Sequence, residues 1–368
     1  MEFLKTQWLS RPLQAACATA VVGLAAVSAV HAQAAAPAAA VPAGPRTLTV
    51  SFLHLNVANL EQSLAVFRDL LGMEVVTPPA APREMKQLVD EPGALLQTVV
   101  LQVPGGPWKM ELVQWHGIKV NPQQPRIQDP GEIMLAINVR GIDELVAGAK
   151  KLGLTVLTEG GAPIERTGAD GTKNRAVMLR EHNGFIIEFV EGGATPVAAP
   201  AKVGTISFYL TVKDLDQTVT FYNRTFGFNM PAPAKAAAPP DSMIKLFNDK
   251  SLKTVRMARG TFPGAGPEIR FQEFTGPNQH PIRHRVQDPG GPIMPMTVQD
   301  FPAVIAAAKA NGGTIGVGET SATLPADARS SWIRDPNGML FQASMPRPPA
   351  AAALSRRAAR CTRPCWSR

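Results

Sequence analysis

Along the chain, apolar and polar positions follow two rhythms in a fixed order. From Thr49 the stretch TVSFLHLNV is an apolar run whose second half, LHLNV, places apolar side chains at alternate residues, the pattern of a strand with one buried face. Asn59, a residue type that caps helices, follows it. The next stretch, LEQSLAVFRDLLGM, sets Leu60, Leu64, Phe67 and Leu71 at three- and four-residue spacing up to Gly72. The same order returns from Gly204 to Phe228 as GTISFYLTVKDLDQTVTFYNRTFGF, with Asp214 as the cap and Gly227 as the stop. A strand followed by one amphipathic helix is therefore predicted at both places.

Each half then holds a second, weaker echo. Gln128-Asp129-Pro130-Gly131 recurs as Gln287-Asp288-Pro289-Gly290, and each precedes a strand and then a helix that stops at a glycine. These helices are predicted over Ile142 to Leu152 and Phe301 to Asn311. Asn183-Gly184 and Asn337-Gly338 sit between alternating runs, which marks hairpins leading into the strands Phe185 to Val190 and Met339 to Ser344. The repeat is nested. It predicts an α+β chain of four βαβββ modules, two in residues 48–192 and two in 203–346, joined by a Gly/Pro/Ala linker at 193–202. One helix covers only one face of a small sheet. Each pair is thus expected to form a concave mixed sheet with helices outside and a cleft between the modules.

Composition changes this picture only at the ends. The chain of 368 residues is 45% hydrophobic and 18% charged, which excludes wholesale disorder and leaves room for two domains. Its formal net charge of +8 invites a nucleic-acid reading. The charge lies elsewhere, however. Residues 1–32 carry +1, the six arginines of residues 347–368 carry +6, and the body between them is left with +1. A near-neutral body lacks the basic stripe that phosphate contacts require, so no nucleic-acid partner is expected. The three cysteines, Cys17, Cys361 and Cys365, also lie outside the body, which suits an oxidising compartment.

Lys5 and Arg11 precede an apolar run from Ala15 to Val30, and Val30-His31-Ala32 fits a small-residue cleavage site. Residues 1–32 read as a cleavable signal peptide that sends the protein to the periplasm or outside the cell. A membrane anchor is the alternative, but the run is shorter than the ~18 to 20 apolar residues of a spanning helix, so no stable insertion is expected after cleavage. Residues 33–47 read as an Ala/Pro linker. Residues 347–368 read as a basic disordered tail, with contact to an anionic surface as the alternative.

The segment VxxLxxSxxVFxxLLGM at Val57 to Met73, its echo VKDLDQTVTFYNRTFGF at Val212 to Phe228, and DPNG before the last strand resemble the vicinal oxygen chelate superfamily. This is the group of glyoxalases, bleomycin-resistance proteins and extradiol dioxygenases. The resemblance covers nearly all of residues 48–346. It implies a cleft that in metal-dependent members holds a divalent ion through four strand positions. In the first half these fall on Phe52, Glu111, Met134 and Glu188, with carboxylates at two and apolar side chains where histidines stand in the family. His54 lies two residues from Phe52 on the same strand face, and is the substitute nitrogen ligand if a metal binds through Glu111 and Glu188. Otherwise His54, Asn56, Glu111 and Glu188 are the polar lining of a ligand cleft floored by Phe52 and Met134. In the second half the positions fall on Ser207, Arg270, Ile293 and Gln342, none a good metal ligand. There Ser207, Tyr209, Thr211, Arg270 and Gln342 suit an anion, unless Arg270 is internally paired.

Two functions follow. The first is a small-molecule binder with a degenerate metal site, for which no cofactor is expected. The second is a lyase, isomerase or ring-cleaving dioxygenase in which Glu111 and Glu188 share one cleft and move protons, with or without a divalent metal. Either would work as a monomer or a homodimer. His280 and His284 fall in a proline-containing loop and read as surface residues, as does His182 in its hairpin turn.

Overall fold

The computed structural model describes residues 47–50, 53–168, 171–262, 268–316 and 328–346. The segments read above as a signal peptide, most of the Ala/Pro linker and the basic tail, together with Phe52, lie outside the described residues.

Four modules appear in chain order. The first holds β1 (Thr47–Val50), β2 (Leu53–Val57), α1 (Leu60–Leu64) running into a π-helical turn at Ala65–Leu70, β3 (Glu74–Thr77), β4 (Arg83–Glu84), α2 (Lys86–Val89), β5 (Leu95–Gln102) and β6 (Lys109–His116). The second holds β7 (Ile133–Val139), α3 (Ile142–Lys151), β8 (Thr155–Val156), β9 (Ile164–Thr167), β10 (Lys173–Arg180) and β11 (Ile186–Gly192). The third holds β12 (Val203–Thr211), α4 (Leu215–Phe226), α5 (Asp241–Phe247), β13 (Thr254–Thr261) and β14 (Glu268–Thr275). The fourth holds β15 (Pro292–Val298), α6 (Phe301–Ala310), β16 (Thr314–Gly316), β17 (Ser330–Arg334) and β18 (Leu340–Ser344). The fold is α+β with paired modules, as the repeat predicts.

Helix boundaries follow the local chemistry. Asn59 accepts a hydrogen bond from the Gln62 N–H at 3.1 Å, Asp214 from Gln217 at 2.9 Å and Asp300 from Ala303 at 3.0 Å. Helix α3 has glycine at its cap position. Its first amides donate instead to Glu191 on β11, at 3.1 Å from Ile142, so the strand caps the helix.

Which modules share a sheet departs from the sequence reading. One sheet runs β16-β17-β18-β15-β2-β6-β5-β3, joining the first module to the fourth. The other runs β13-β14-β12-β7-β11-β10-β8, joining the second to the third. Both sheets therefore cut across the 48–192 and 203–346 halves. Within modules the central pairs β2–β6, β7–β11, β12–β14 and β15–β18 are parallel, while the seams between modules, β2–β15 and β7–β12, are antiparallel. Adjacency in sequence favours pairing neighbours, and four modules with equivalent edge strands carry no local signal against it. The helix-facing sides of both sheets contribute to one continuous apolar core, with Leu55, Leu112, Ile137, Phe189, Phe208, Phe271, Met294 and Phe341 among its members.

The exchange requires two crossovers between the sheets, one between β6 and β7 and one between β14 and β15, and the repeated Gln-Asp-Pro-Gly lies in each. Asp129 accepts from the Arg126 N–H at 3.0 Å, from its guanidinium at 2.8 Å, and from the His280 N–H of the other crossover at 2.9 Å. Asp288 mirrors it, accepting from the Arg285 N–H at 3.1 Å, its guanidinium at 2.7 Å, and the Asn121 N–H at 2.9 Å. Burial works to raise the Asp129 carboxyl, but these donors hold it below the usual carboxylate range. Gly290 has φ 88°, and a Cβ there would lie 2.5 Å from the Asn183 carbonyl oxygen, so the close approach of crossover and hairpin needs glycine. His182 is exposed, but His284 is buried in its crossover rather than on the surface, because it packs over the bare Gly291.

Residues 48–192 expressed alone leave β2 and β7 each with an open edge that the other half normally pairs. This fragment is expected to associate or precipitate, as read by light scattering after size exclusion. A cooperatively folded monomer would contradict the exchanged pairing.

Candidate functional site

The exchanged pairing redistributes the residues singled out from the sequence. Glu111, His54 and Gln342 lie in the sheet built by the first and fourth modules, whereas Glu188, Met134, Ser207, Tyr209 and Arg270 lie in the other. Glu111 and Glu188 therefore do not share a cleft. The acid–base and metal arrangements that require both carboxylates are not formed, for the same topological reason.

The two sheets carry equivalent positions. His54 stands beside Glu111 in the β2–β6 register, as Tyr209 stands beside Arg270 in the β12–β14 register. Successive residues point to opposite faces, so each pair lies on the face turned away from the helices.

In the first sheet that face is largely filled. Leu96, Val113, Trp115, Ile293, Trp332 and Leu340 cluster there with Val89 of α2, and Trp332 Nε1 donates to the Leu88 carbonyl at 3.1 Å. His54 Nε2 lies 3.1 Å from Glu111 Oε2, with side chains 17% and 15% exposed. Burial drives His54 down to about 3, so the ring is neutral at physiological pH, and burial raises the Glu111 carboxyl above its ordinary value.

In the second sheet the equivalent face is open. A cleft of about 890 Å³ is walled by Met134, Ala136, Tyr209 and Met257, with Leu246 and Phe247 of α5 along one side. Its polar groups form a chain of charge. Arg166 on β9 pairs with Glu188, which is 1% exposed, and Arg270 is internally paired with Glu268, the alternative left open by the sequence, while it also donates to the Tyr209 hydroxyl. The Arg270 guanidinium carbon lies 5.0 Å from the centre of the Tyr209 ring. Burial, with help from the Glu188 charge, pushes the Tyr209 phenol up to about 12, so it stays protonated. Ser207 also lines the cleft.

Two residues expected in ligand contact are structural instead. Asn56 donates to the Gly291 carbonyl at 2.9 Å and accepts from Trp115 Nε1 at 3.2 Å. Thr211 donates to the Ile127 carbonyl and accepts from Gln272 at 3.0 Å. Each is buried and ties a strand end to a crossover or a neighbouring strand. Gln342 shares the filled face of the first sheet with Leu340 and is remote in sequence and sheet from the open cleft. Arg166, Glu268, Arg259 and α5 were not singled out from sequence. Arg166 belongs to an alternating Ile-Glu-Arg-Thr strand, and only the pairing of β9 with β10 turns it toward Glu188.

The four strand positions that hold a divalent ion in metal-dependent members of the resembling superfamily do not fit one here. The open cleft offers Ser207, Arg270, Met134 and Glu188, and a guanidinium standing where a carboxylate is needed repels a cation. The filled face offers Glu111, Ile293 and Gln342, with His54 already engaged with Glu111. Among the described residues, no three His, Cys, Asp or Glu side chains group as they would around a metal.

Comparison with known proteins places the fold. A point mutant of glyoxalase I from Zea mays is similar to this chain, with a TM-score of 0.50 and 16% identity over 82% of this chain and 92% of that one. A Bacillus subtilis protein provisionally called a dioxygenase gives a TM-score of 0.45 at 12% identity, covering 82% and 86%. A glyoxalase family protein from Bacillus cereus covers 40% of this chain and 95% of its own length, at 17% identity and a TM-score of 0.33. No family model matches the sequence, and no curated protein matches it. The chain has a glyoxalase-like fold.

Because the folded state holds His54 neutral down to about pH 3 while the unfolded chain protonates it near 6.5, its contribution is complete above pH 6.5 and fades as pH falls. Wild type should lose roughly 3 kcal/mol more than His54→Gln between pH 7 and pH 4, as measured by urea unfolding. Parallel pH curves for the two proteins would show that His54 is not held neutral.

Proposed function

We propose that the protein binds a small organic molecule in the open cleft of the second sheet. The observation that carries this reading is the contrast between two equivalent faces. One is packed with tryptophan and aliphatic side chains, and the other keeps about 890 Å³ of space walled by methionine, tyrosine and a short helix. A largely apolar cavity with a few convergent polar groups is the usual form of a ligand site. Its volume lies within the range of about 300 to 1,000 Å³ typical of such sites. The glyoxalase chemistry of the maize protein is not proposed for this chain, since Arg270 and Met134 stand at positions where a metal would need donors.

The test is to fill the cleft. In a thermal-shift panel of small organic molecules, those that stabilise wild type are expected to bind Ser207→Trp at least tenfold more weakly, with the unfolding midpoint of the unliganded variant little changed. Ligands that stabilise both proteins equally would place binding elsewhere.

The reading further holds that the protein is exported. Its support is the basic, apolar and small-residue order of residues 1–32 and the confinement of all three cysteines to the two ends. Sequencing the N-terminus of protein recovered from the producing cell is expected to begin after Ala32. A mature chain beginning at Met1 would refute export by this signal.

A further inference from the structure

The open cleft contains three features that its own ion pairs do not explain. The first is a proton. Tyr209 is 7% exposed, and its hydroxyl accepts from Arg270. A phenol that accepts through oxygen still carries its own hydrogen, and among the described residues nothing accepts it. That hydrogen is a donor on the wall of the open cleft, available to a ligand acceptor.

The second feature is the spare capacity of Arg270. Its Nε donates to Glu268 and one Nη1 hydrogen goes to Tyr209. A guanidinium has five N–H donors, so three remain, including both on Nη2. Third, Arg259 lies directly opposite Arg270 in the β13–β14 register and lines the same cleft. Like charges directly across an antiparallel pair repel, and Arg259, exposed at the cleft, has no salt bridge among the described residues.

Taken with the proposed small-molecule role, on which it rests, this geometry leads us to infer that the ligand is a monocarboxylate with an apolar body, its two oxygens held by Arg270 and the Tyr209 hydroxyl. The apolar body lies against Met134, Met257 and Phe247. Arg166 and Arg270 are paired with Glu188 and Glu268, so the uncompensated charge of the cleft is that of the exposed Arg259, one positive charge for one carboxylate. The flat fork of a guanidinium fits a carboxylate, and the phenol adds a donor aimed at the same anion. Arg166 stays with the buried Glu188, so the second ion pair is wall rather than receptor.

The test uses the full-length chain and two probes of one shape, 2-naphthoate and 2-naphthamide, titrated by calorimetry at pH 7. Naphthoate is expected to bind at least tenfold more tightly than the amide. Arg270→Gln should remove most of that difference, and Tyr209→Phe should weaken naphthoate severalfold. Urea midpoints show whether each variant is folded. A spectroscopic readout is independent of affinity, because the chain has only two tyrosines, Tyr209 and Tyr222. With 13Cζ-labelled tyrosine, naphthoate should shift the Tyr209 resonance and leave Tyr222, whose hydroxyl is bonded to Asp335, in place. Equal binding of acid and amide, both abolished by Ser207→Trp, would overturn the carboxylate inference while leaving the cleft as a binding site. Naphthoate binding that survives both Arg270→Gln and Tyr209→Phe, or that leaves the Tyr209 resonance unmoved, would overturn it too. If neither probe binds and no panel compound distinguishes wild type from Ser207→Trp, both readings fall together.

Discussion

Asp129 and Asp288, each reaching across to hold the backbone of the opposite crossover, are the interaction on which the arrangement of the molecule rests. Their carboxylates are nearly buried, and each is saturated by an arginine three residues earlier in its own chain segment and by an amide from the other segment. Hydrogen bonds to charged groups are worth about 1.5 to 3 kcal/mol each, more than a neutral pair supplies. The two aspartates lock the crossovers against each other. The lock joins the two crossovers by which the first module meets the fourth and the second meets the third, and that pairing sets which side chains share a face.

From this follows the divergence of the two faces. Duplication placed a side chain pair at the same register in both sheets, and the pairs now differ in every property that matters to a ligand. One holds a neutral imidazole beside a partly buried carboxyl under a cover of tryptophan. The other holds a protonated phenol beside a guanidinium at the floor of an open space. Aromatic and aliphatic bulk from α2, β6 and β17 fills the first face. Helix α5 takes the place of α2 on the second, resting Leu246 against Met134 and Tyr209 while leaving room beside them. A single architecture thus carries one packed and one hollow copy of the same site.

The elements were legible in the sequence because their determinants are local. Asn59, Asp214 and Asp300 cap helices through amides three residues away, and the Asn-Gly pairs form the turns that their composition demands. The nested repeat was legible too, since repetition needs no knowledge of partners. What the sequence did not carry is the choice among four equivalent edges, and that choice moved half of the candidate site. Glu111 and Glu188 read as one dyad only if neighbouring modules pair. Asn56 and Thr211 alternate correctly for cleft residues, and only the crossovers turn them into structural ties. Arg270 and Tyr209 survived because both come from one module, whose internal register does not depend on the exchange. Arg166 escaped notice because its partner, Glu188, is reached across β10 rather than along the chain.

Nested pairing also orders events in time. The second sheet is assembled from a continuous stretch between the two crossovers, so its strands can meet without waiting for either end of the chain. The first sheet closes only when β15 reaches β2, which brings Ile293 to His54. Contacts of such long range slow folding and expose sticky intermediates. The sheet that holds the hollow site is thus the one the chain can finish early, and the packed sheet is the clasp that closes last over the finished core.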